Sequence, residues 1–308
     1  MSSSALIGVV DIGGTKIAVG AISEEGVVVG RSEFPTMPAA GFAAAMQRTA
    51  EMLRQASRQA GTAFCGIGVA CPGPLDPLAG VVGDVGTLPG WRGGNITAAL
   101  SEEFGVPVAA ENDADSAALA EADSGAGKGS SRLIYVTVST GIGAGIILSG
   151  ELYRGVEGAH PEIGHHVLDW SGPRCYCRAR GCWEGLASGP AMTAWVREQN
   201  PQAEELSAAQ ICERARAGDD LARRAVAREG MYLGLGLANL ITMFTPDTIV
   251  LGGGVMKSAD LFMDRIHEVI REVCTQVPAE KTAIRLASLG ANTGLAGAAR
   301  AWMHRYRR

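Results

Sequence analysis

The sequence predicts an α/β protein built from two lobes, and three observations lead to this prediction. The chain has 308 residues, which is enough for two lobes. Short apolar runs alternate with amphipathic helical segments along most of its length. A pattern of strand, glycine turn and strand occurs near residue 11 and again near residue 139. Two such hairpins, about half a chain apart, indicate two related halves.

The composition of the chain argues against several classes of protein. The formal net charge is −5 and basic residues form no long cluster, so a nucleic-acid-binding surface is not expected. No run approaches the roughly eighteen apolar residues of a membrane span. The first residues lack the basic region of a signal peptide and meet Asp11 early. We therefore expect a cytoplasmic protein with no nucleic-acid and no membrane partner.

The first glycine turn reads D-I-G-G-T-K and starts at Asp11. A second strand follows it, so the helix that a Walker A motif requires is missing. Gly13 and Gly14 allow close approach of an anion, and Thr15 and Lys16 add a hydroxyl group and a cation. Asp11 is a candidate for holding Mg²⁺ through water. An ordinary hairpin turn is the alternative interpretation.

The elements that follow alternate in type, and each has a local reason. A strand over 27–33 continues the first sheet, and an amphipathic helix over 41–60 is closed by Gly61. A buried strand leads into the rigid turn C-P-G-P, where Gly73 allows a ligand near the main chain, although a structural turn fits equally. The other elements predicted before the glycine-rich break at 125–129 are a strand at 64–70, a helix at 96–104, a strand at 106–110 and a helix at 114–122.

The strand at 106–110 delivers Glu111, Asn112 and Asp113 to its carboxyl end. Polar side chains at this position of a parallel sheet are well placed to contact a ligand. Asparagine and aspartate are also favoured helix N-caps, so a purely structural role is the alternative.

The pattern restarts after the glycine-rich break. The turn S-T-G-I-G-A-G contains Thr140, Gly141 and Gly143, and with the first turn it would hold a phosphate chain. Gly253 and Gly254 follow a buried strand and precede a helix, as in sites that pack against a nucleotide base, or as in a simple packing turn. The predicted elements are strands at 133–138, 248–251 and 284–288, a hairpin arm from 146, and helices at 207–216, 219–243, 255–273 and 293–304.

A metal-binding loop is predicted between residues 162 and 184. His165 is followed by Cys175, Cys177 and Cys182, with glycines and a proline turning the chain between them. One histidine and three cysteines in one loop suit tetrahedral Zn²⁺. Ordinary buried thiols beside a surface histidine are the alternative.

Two glutamates flank this loop. Glu162 precedes His165 by three residues, and Glu184 follows Cys182 by two. A structural zinc that orders the loop would present both carboxylates as acceptors for a polyhydroxylated ligand. Taken separately, each glutamate also fits a solvated surface position.

These motifs occur together in one order and closely resemble the ROK family of bacterial sugar kinases and sugar-responsive repressors. The resemblance spans essentially the whole chain. It implies a two-lobed actin-like/ribonuclease H-like ATPase fold with a cleft between the lobes and a zinc-binding loop. The expected small lobe is 1–114, joined by the C-terminal helix 293–308, and the large lobe is 115–292. The motifs are D-I-G-G-T-K, E-N-D, S-T-G-I-G-A-G, E-I-G-H, C-Y-C-R-A-R-G-C-W-E and L-G-G-G-V.

The resemblance also implies an activity. ATP with Mg²⁺ would donate its γ-phosphoryl group to the 6-hydroxyl of a hexose, the zinc would be structural, and the protein would be a dimer or tetramer. Asp113 matches the family's catalytic base, and a carboxylate there can accept the hydroxyl proton. E-x-G-H selects His165 over its neighbour His166, and we interpret His160 as a loop histidine. The matched residues are Gly73, Asn112, Asp113, Glu162, His165 and Glu184 for the sugar, and His165, Cys175, Cys177 and Cys182 for zinc.

The chain departs from the family pattern at two positions. Arg178 replaces a glycine that usually precedes the third cysteine, so the loop must adopt its conformation without glycine's freedom. Thr87 precedes Leu88 where many of the family's glucokinases have asparagine. Glucose is the first substrate that the resemblance implies. The departure at Thr87 weakens this assignment relative to the alternative, N-acetylmannosamine or N-acetylglucosamine.

Two other functional classes are weighed against a kinase. A repressor of the family would need an N-terminal helix-turn-helix, and only ten residues precede Asp11. A sugar sensor without activity would have no need for a base at Asp113. Both are less favoured than an enzyme.

Overall fold

The computed structural model describes residues 6–23, 26–202 and 205–307 of the chain. None of the helices in these ranges combines the length and the apolar composition that crossing a membrane requires. The strands are β1 (Leu6–Ile12), β2 (Lys16–Ser23), β3 (Val28–Pro35), β4 (Phe64–Cys71), β5 (Leu75–Asp76), β6 (Val81–Val82), β7 (Val108–Asn112), β8 (Leu133–Val138), β9 (Ile142–Leu148), β10 (Glu151–Leu152), β11 (Thr248–Gly252) and β12 (Ala283–Leu286). The α-helices are α1 (Phe42–Ala60), α2 (Ile96–Phe104), α3 (Asp113–Ser124), α4 (Trp183–Ala187), α5 (Gly189–Gln199), α6 (Ala208–Arg216), α7 (Asp220–Phe244), α8 (Met263–Val273) and α9 (Thr293–Tyr306).

The chain folds as two compact units. The first comprises the described residues within Met1–Lys128, Glu151–Pro161 and Ser288–Arg308, and the second those within Gly129–Gly150 and Glu162–Ala287. The chain therefore passes between the units more than once, and α9 belongs to the first.

The first unit is built on a five-stranded sheet in the order β3-β2-β1-β4-β7. β1 is antiparallel to β2 and parallel to β4, and β4 is parallel to β7. Side chains of β1 alternate between two cores, as the strand period requires. Ile7 and Val9 pack with α9, whereas Val10 and Ile12 pack with residues of α1 and α2. Helices thus cover both faces of the sheet.

Close packing of α9 depends on a glycine in β4. A Cβ atom at Gly68 would lie 1.8 Å from the carbonyl oxygen of Ala298, so only glycine permits this approach of the helix backbone. Trp302, one turn further along α9, donates from its indole nitrogen to the Pro107 carbonyl oxygen at 2.9 Å. α9 is therefore held against β4 and the residue that precedes β7.

The second unit has a sheet in the order β9-β8-β11-β12, with β8 and β9 antiparallel and β8, β11 and β12 parallel. One large core joins this sheet to the helices around it, with Trp183 and Phe262 fully buried in it. Trp183 packs so tightly that a Cβ atom at Gly236 of α7 would lie 2.0 Å from its ring. This packing fixes α4, which carries Glu184.

Most predicted elements agree with the structure to within two residues at each end, and two differ by more. β9 begins at Ile142 and not at 146, because Gly143 to Gly145 stay extended and pair with β8. The helix expected over 255–273 is divided into a 3₁₀ segment, Val255–Leu261, and α8, which starts at Met263. Ser258 interrupts it with φ −108° and ψ 30°, and the change of direction lets both Met256 and Phe262 be buried.

Glu121 ties two connecting segments of the first unit to α3. Its side chain is fully buried. One carboxylate oxygen accepts from the Ala126 amide at 2.7 Å, and the other accepts from the Ser288 and Leu289 amides at 3.0 and 3.2 Å. Buried backbone N–H groups need such acceptors. Glu121 therefore orders the chain just before it leaves the unit and just after it returns.

We expect Glu121→Gln to lower the free energy of unfolding by about 2 kcal/mol, because the amide group cannot accept on both sides and leaves a buried N–H unpaired. Urea unfolding of both proteins measures the change. Glu102→Gln, on an exposed position of α2, is the control and should change stability by less than about 0.5 kcal/mol. Equal stability of the two variants would contradict this role of Glu121.

Candidate functional site

Several predicted residues of the first unit meet at the carboxyl ends of its parallel strands. Asp11 of β1 lies in register with Ala70 of β4, and Cys71 of β4 lies opposite Asn112 of β7. Asn112 is the N-cap of α3, and its side-chain oxygen accepts from the Ala114 amide at 2.8 Å. The structural role of an N-cap is thus present, and the same turn places Asp113 at the start of the helix.

Asp113 begins α3, and its Oδ1 accepts from the Ala114 amide at 2.8 Å. Solvent reaches its side chain. The surrounding protein nevertheless replaces much of the water, and this desolvation raises the pKa of Asp113 above its ordinary value. The Ala114 amide and the charge of His160 act in the opposite direction. A carboxylate with a raised pKa is a better proton acceptor than an ordinary aspartate.

Asp11 shares the electrostatic environment of Asp113. Burial and the negative charge of Asp113 raise the pKa of Asp11 to about 6, although Lys16 lowers it. Burial and both carboxylates also raise the pKa of Cys71. Two carboxylates at one sheet edge are a donor set that suits Mg²⁺, and a cation there would relieve their repulsion. Asp11, with the charge of Asp113 nearby, therefore fits the predicted magnesium site.

The first glycine turn is a hairpin between β1 and β2. The Gly13 amide donates to the Lys16 carbonyl oxygen at 2.9 Å, and Thr36 donates through its hydroxyl to the Gly13 carbonyl oxygen at 2.6 Å. A Cβ atom at Gly14 would lie 2.8 Å from Cβ of Thr87. Glycine at this position therefore lets the loop containing Thr87 lie against the turn.

The other predicted residues of the first unit lie close to these. Thr15 accepts through its carbonyl oxygen from the Thr36 amide at 3.0 Å, and its side chain is exposed. Lys16 Nζ is paired with Glu33 at 2.9 Å, and both are open to solvent. Gly73 follows β4 by two residues, and its peptide bond to Pro74 is cis.

A buried ionic cluster beside Asp113 was not predicted from the sequence. Asp115 is fully buried, and its Oδ2 lies 3.3 Å from Arg154 Nη1 and 2.9 Å from His160 Nδ1. Arg154 is also paired with Glu111. His160 lies in a loop and outside the cysteine cluster, as the sequence predicts, and the structure adds that it is a partner of Asp115. Local patterns could not show this contact, because the two residues are 45 positions apart.

In the second unit, the turn between β8 and β9 is connected to Glu184. The Ile142 amide donates to Glu184 Oε2 at 2.8 Å, and a Cβ atom at Gly141 would lie 2.3 Å from the same oxygen. Thr140 lies in the turn itself, whereas Gly143 lies in β9 opposite Thr137. Because residue 141 is glycine, the Glu184 carboxylate can reach the backbone amide of Ile142.

The four predicted metal ligands lie together. One ligand atom of each of His165, Cys175, Cys177 and Cys182 lies within 4.8 Å of the others. The Sγ atoms of Cys177 and Cys182 are 3.4 Å apart, and Cys175 Sγ is 3.6 Å from His165 Nδ1. A tetrahedral zinc site separates two sulfur ligands by about 3.8 Å. Three thiols and one imidazole at these distances fit Zn²⁺.

The loop reaches this geometry through two residues with positive φ. Arg178 has φ 79° and Gly181 has φ 64°. For Arg178, which replaces the family's glycine, this conformation costs about 1 kcal/mol. The bonds Cys175 amide to Ala179 carbonyl at 2.9 Å and Arg178 amide to Cys175 carbonyl at 3.0 Å hold the turn closed. The loop thus brings its four ligands together with an arginine at this position.

His166 is directed away from the cysteine cluster. Its ring lies 5.4 Å from the ring of Trp183, and its Nδ1 contacts the Ile163 carbonyl oxygen. His165 instead faces the cysteines, as E-I-G-H predicts. Glu162 precedes the short 3₁₀ turn Ile163–His165, and its side chain is exposed.

A cleft of about 900 Å³ opens on the second unit. Thr140 and Gly254 line it, together with the first turns of α5 and α6 and Lys257. Gly253 has φ 93°, and a Cβ atom there would lie 2.3 Å from the Val138 carbonyl oxygen, so this turn requires glycine. The sequence pointed to the glycines of this cleft. The sequence also predicts the helix α6, but S-A-A-Q at its start signals only a capping box and not that its first turn lines a cleft.

Comparison with known proteins places the chain among sugar-related proteins. The sequence model of the ROK family matches residues 7–305. The Xylose repressor of Bacillus subtilis is 35% identical over 213 residues, which are 69% of this chain and 54% of the repressor. The chain thus spans about half the length of that relative.

Two solved structures are similar along nearly the whole chain. A ROK hexokinase from Thermus thermophilus is 36% identical, with a TM-score of 0.89 over 98% of this chain and 100% of that one. A ROK family glucokinase from Streptomyces griseus, in complex with glucose and AMPPNP, is 31% identical, with a TM-score of 0.81 over 96% and 98%. These likenesses confirm the α/β two-lobed fold that the sequence predicts.

Proposed function

Because the chain belongs to the ROK family, we propose that it is an ATP-dependent hexokinase that transfers the γ-phosphoryl group to the 6-hydroxyl of a hexose, with glucose as the first substrate. The observation that carries the proposal is the position of Asp113. It starts a helix at the carboxyl end of β7, has a raised pKa and lies in the electrostatic field of Asp11. A sugar-binding protein without activity needs no such pair of carboxylates.

The chemistry assigns one role to Asp113. Its carboxylate accepts the proton of the sugar 6-hydroxyl as that oxygen bonds to the γ-phosphorus, and the bond between the γ-phosphorus and the β–γ bridging oxygen breaks. The products are the sugar 6-phosphate and ADP. Magnesium, held near Asp11, would supply positive charge to the phosphate oxygens. The pKa of about 6 applies to Asp11 without a cation beside it, and a bound Mg²⁺ would lower this pKa.

The nucleotide is assigned to the glycine turns and the cleft. Amide groups around Gly14, Thr15, Thr140 and Gly141 are suited to phosphate oxygens, and Lys16 offers a cation. Gly13 shapes the first turn, since its own amide is bonded to the Lys16 carbonyl oxygen. The cleft beside Gly253 and Gly254 has a volume that suits a nucleoside. The glucokinase of similar structure binds AMPPNP, which supports an adenine nucleotide for this chain.

The proposed sugar contacts are those that the resemblance to the family implies. They are Gly73, Asn112, Asp113, Glu162, His165 and Glu184. Zinc bound by His165, Cys175, Cys177 and Cys182 would keep the loop ordered. With one oxygen of Glu184 already held by the Ile142 amide, the other is available to a sugar hydroxyl.

A panel of sugars tests the proposal most directly. Coupled assays of ADP formation with glucose, mannose, N-acetylglucosamine and N-acetylmannosamine are expected to give the highest kcat/KM for glucose. Thr87 lies against Gly14 where many glucokinases of the family have asparagine, so a preference for an acetylated sugar is the second candidate. Such a preference would replace glucose as the substrate, and no ADP formation with any hexose would overturn the kinase proposal. Size-exclusion chromatography tests the proposed dimer or tetramer.

A further inference from the structure

Arg154 and His160 contact the same buried carboxylate from the two ends of one turn of the chain. The Gly155 amide donates to the Ala159 carbonyl oxygen at 2.8 Å, and this bond closes the segment between them. Arg154 and His160 flank the closed turn and therefore lie close together. Arg154 Nη1 is 3.3 Å and His160 Nδ1 is 2.9 Å from Asp115 Oδ2.

The carboxylates that Arg154 contacts stand on both sides of Asp113 in the chain. Glu111 comes two positions before Asp113, and Asp115 comes two positions after it. Both are buried, and both are paired with Arg154. Glu111 Oε1 also accepts from the Asn112 amide at 2.8 Å. The chain is thus held just before and just after Asp113.

The Asp113 carboxylate takes its position from this part of the chain. Its Oδ1 accepts from the Ala114 amide, which is a contact within the first turn of α3. The Asp115 side chain is held through Oδ2, since its Oδ1 is buried without a hydrogen-bond partner in the part of the chain that the structure describes. Without His160, only Arg154 at the longer distance of 3.3 Å would hold the Asp115 side chain.

We propose that His160 is a positioning residue for the reaction: by holding Asp115 it fixes the first turn of α3 and with it the direction of the Asp113 carboxylate. The inference rests on the proposed function, in which Asp113 accepts the proton of the sugar hydroxyl. A misplacement of about 1 Å can cost about 100-fold in rate. The body of α3 is packed against α9, where a Cβ atom at Gly297 would lie 2.5 Å from the Ser116 carbonyl oxygen. Loss of the His160 contact should therefore shift the turn and not unfold the helix.

Two substitutions of His160 test the inference. His160→Leu removes the contact and suits a side chain that is only 10% exposed, whereas His160→Asn retains an N–H donor near the position of Nδ1. We expect kcat to fall about tenfold in His160→Leu and to stay within about threefold of the wild type in His160→Asn. Binding of hexose and of AMPPNP, measured by calorimetry, should change less than about threefold in both variants, so the loss should appear in kcat and not in KM.

The matched control is His304→Leu. His304 Nε2 lies 3.2 Å from Glu151, so this second histidine–carboxylate pair ties the start of the same segment to α9 and not to α3. The variant should retain the kcat of the wild type.

A double variant separates positioning from stability. His160→Leu leaves the buried charge of Asp115 with less compensation, and Asp115→Asn removes that charge. We expect the double variant to be more stable in urea than His160→Leu but to keep the low kcat, because the contact is still missing. Recovery of kcat together with stability would mean that His160 acts on stability alone, and it would overturn the inference. The double variant also carries the test if His160→Leu does not fold.

The outcomes distinguish this inference from the proposed function. An active wild type with an equally active His160→Leu would overturn the inference and leave the kinase intact. An equal loss of kcat in His160→Leu and His160→Asn would also overturn it, because the bond donated to Asp115 would then have no part in the effect. No ADP formation by the wild type with any hexose would overturn the proposed function, and this inference with it.

Discussion

Replacing Asp113 with asparagine should reduce kcat by about 100-fold to 10,000-fold, because the amide cannot accept the proton of the sugar hydroxyl. Asparagine retains the shape and the oxygen that accepts from the Ala114 amide, so α3 should begin as before. Binding of hexose and nucleotide, measured by calorimetry, should change less than about threefold. Steady-state assays with saturating ATP measure the loss.

The control is Asp123→Asn, which makes the same substitution on the same helix. Asp123 is paired with Arg300 near the end of α3, away from the start of the helix. Its variant should retain full turnover. If Asp113→Asn turned over at a rate near that of the wild type, Asp113 would not be the base.

The pH dependence of wild-type activity is a second test of Asp113 as the base. The base must be ionised to act, and desolvation raises the pKa of Asp113. Activity should therefore be lost as the pH falls through this raised pKa, at a higher pH than an ordinary aspartate would give. The acid limb of kcat against pH should disappear from the residual activity of Asp113→Asn.

Much of the fold was predictable because its signals are local. Glycine turns, N-caps and helical periodicity placed α2 and β8 with the bounds that the structure has. The 3₁₀ segment before α8 was not predictable, because the change of direction at Ser258 comes from burying Met256 and Phe262 in one core. That packing joins residues that are distant in the chain, and periodicity within one segment does not report it.

In the candidate site, too, the features with local signals were predictable and those with distant contacts were not. The metal cluster was predictable because its ligands fall within one short stretch, and the choice of His165 over His166 agrees with the cluster. The contact of His160 with Asp115 was missed, because both residues look like ordinary loop and helix positions in the sequence.

The remaining large effect concerns the metal. Cys177→Ser should abolish binding of zinc and weaken hexose binding by more than about tenfold, because a serine hydroxyl is a poor ligand and the loop then loses the metal that orders it. Cys177 is accessible to solvent, so the substitution removes a thiol without opening a core cavity.

Mass spectrometry of metal content and calorimetry of hexose binding measure the two effects, and both should be lost together. Cys65→Ser is the matched control, since Cys65 is a free thiol of β4 in the first unit, and it should leave zinc content unchanged. Wild-type protein purified without chelator should contain about one zinc per chain. Zinc-free wild type with normal hexose affinity would mean that hydrogen bonds alone order the loop, and that Glu162 and Glu184 depend on them and not on the metal.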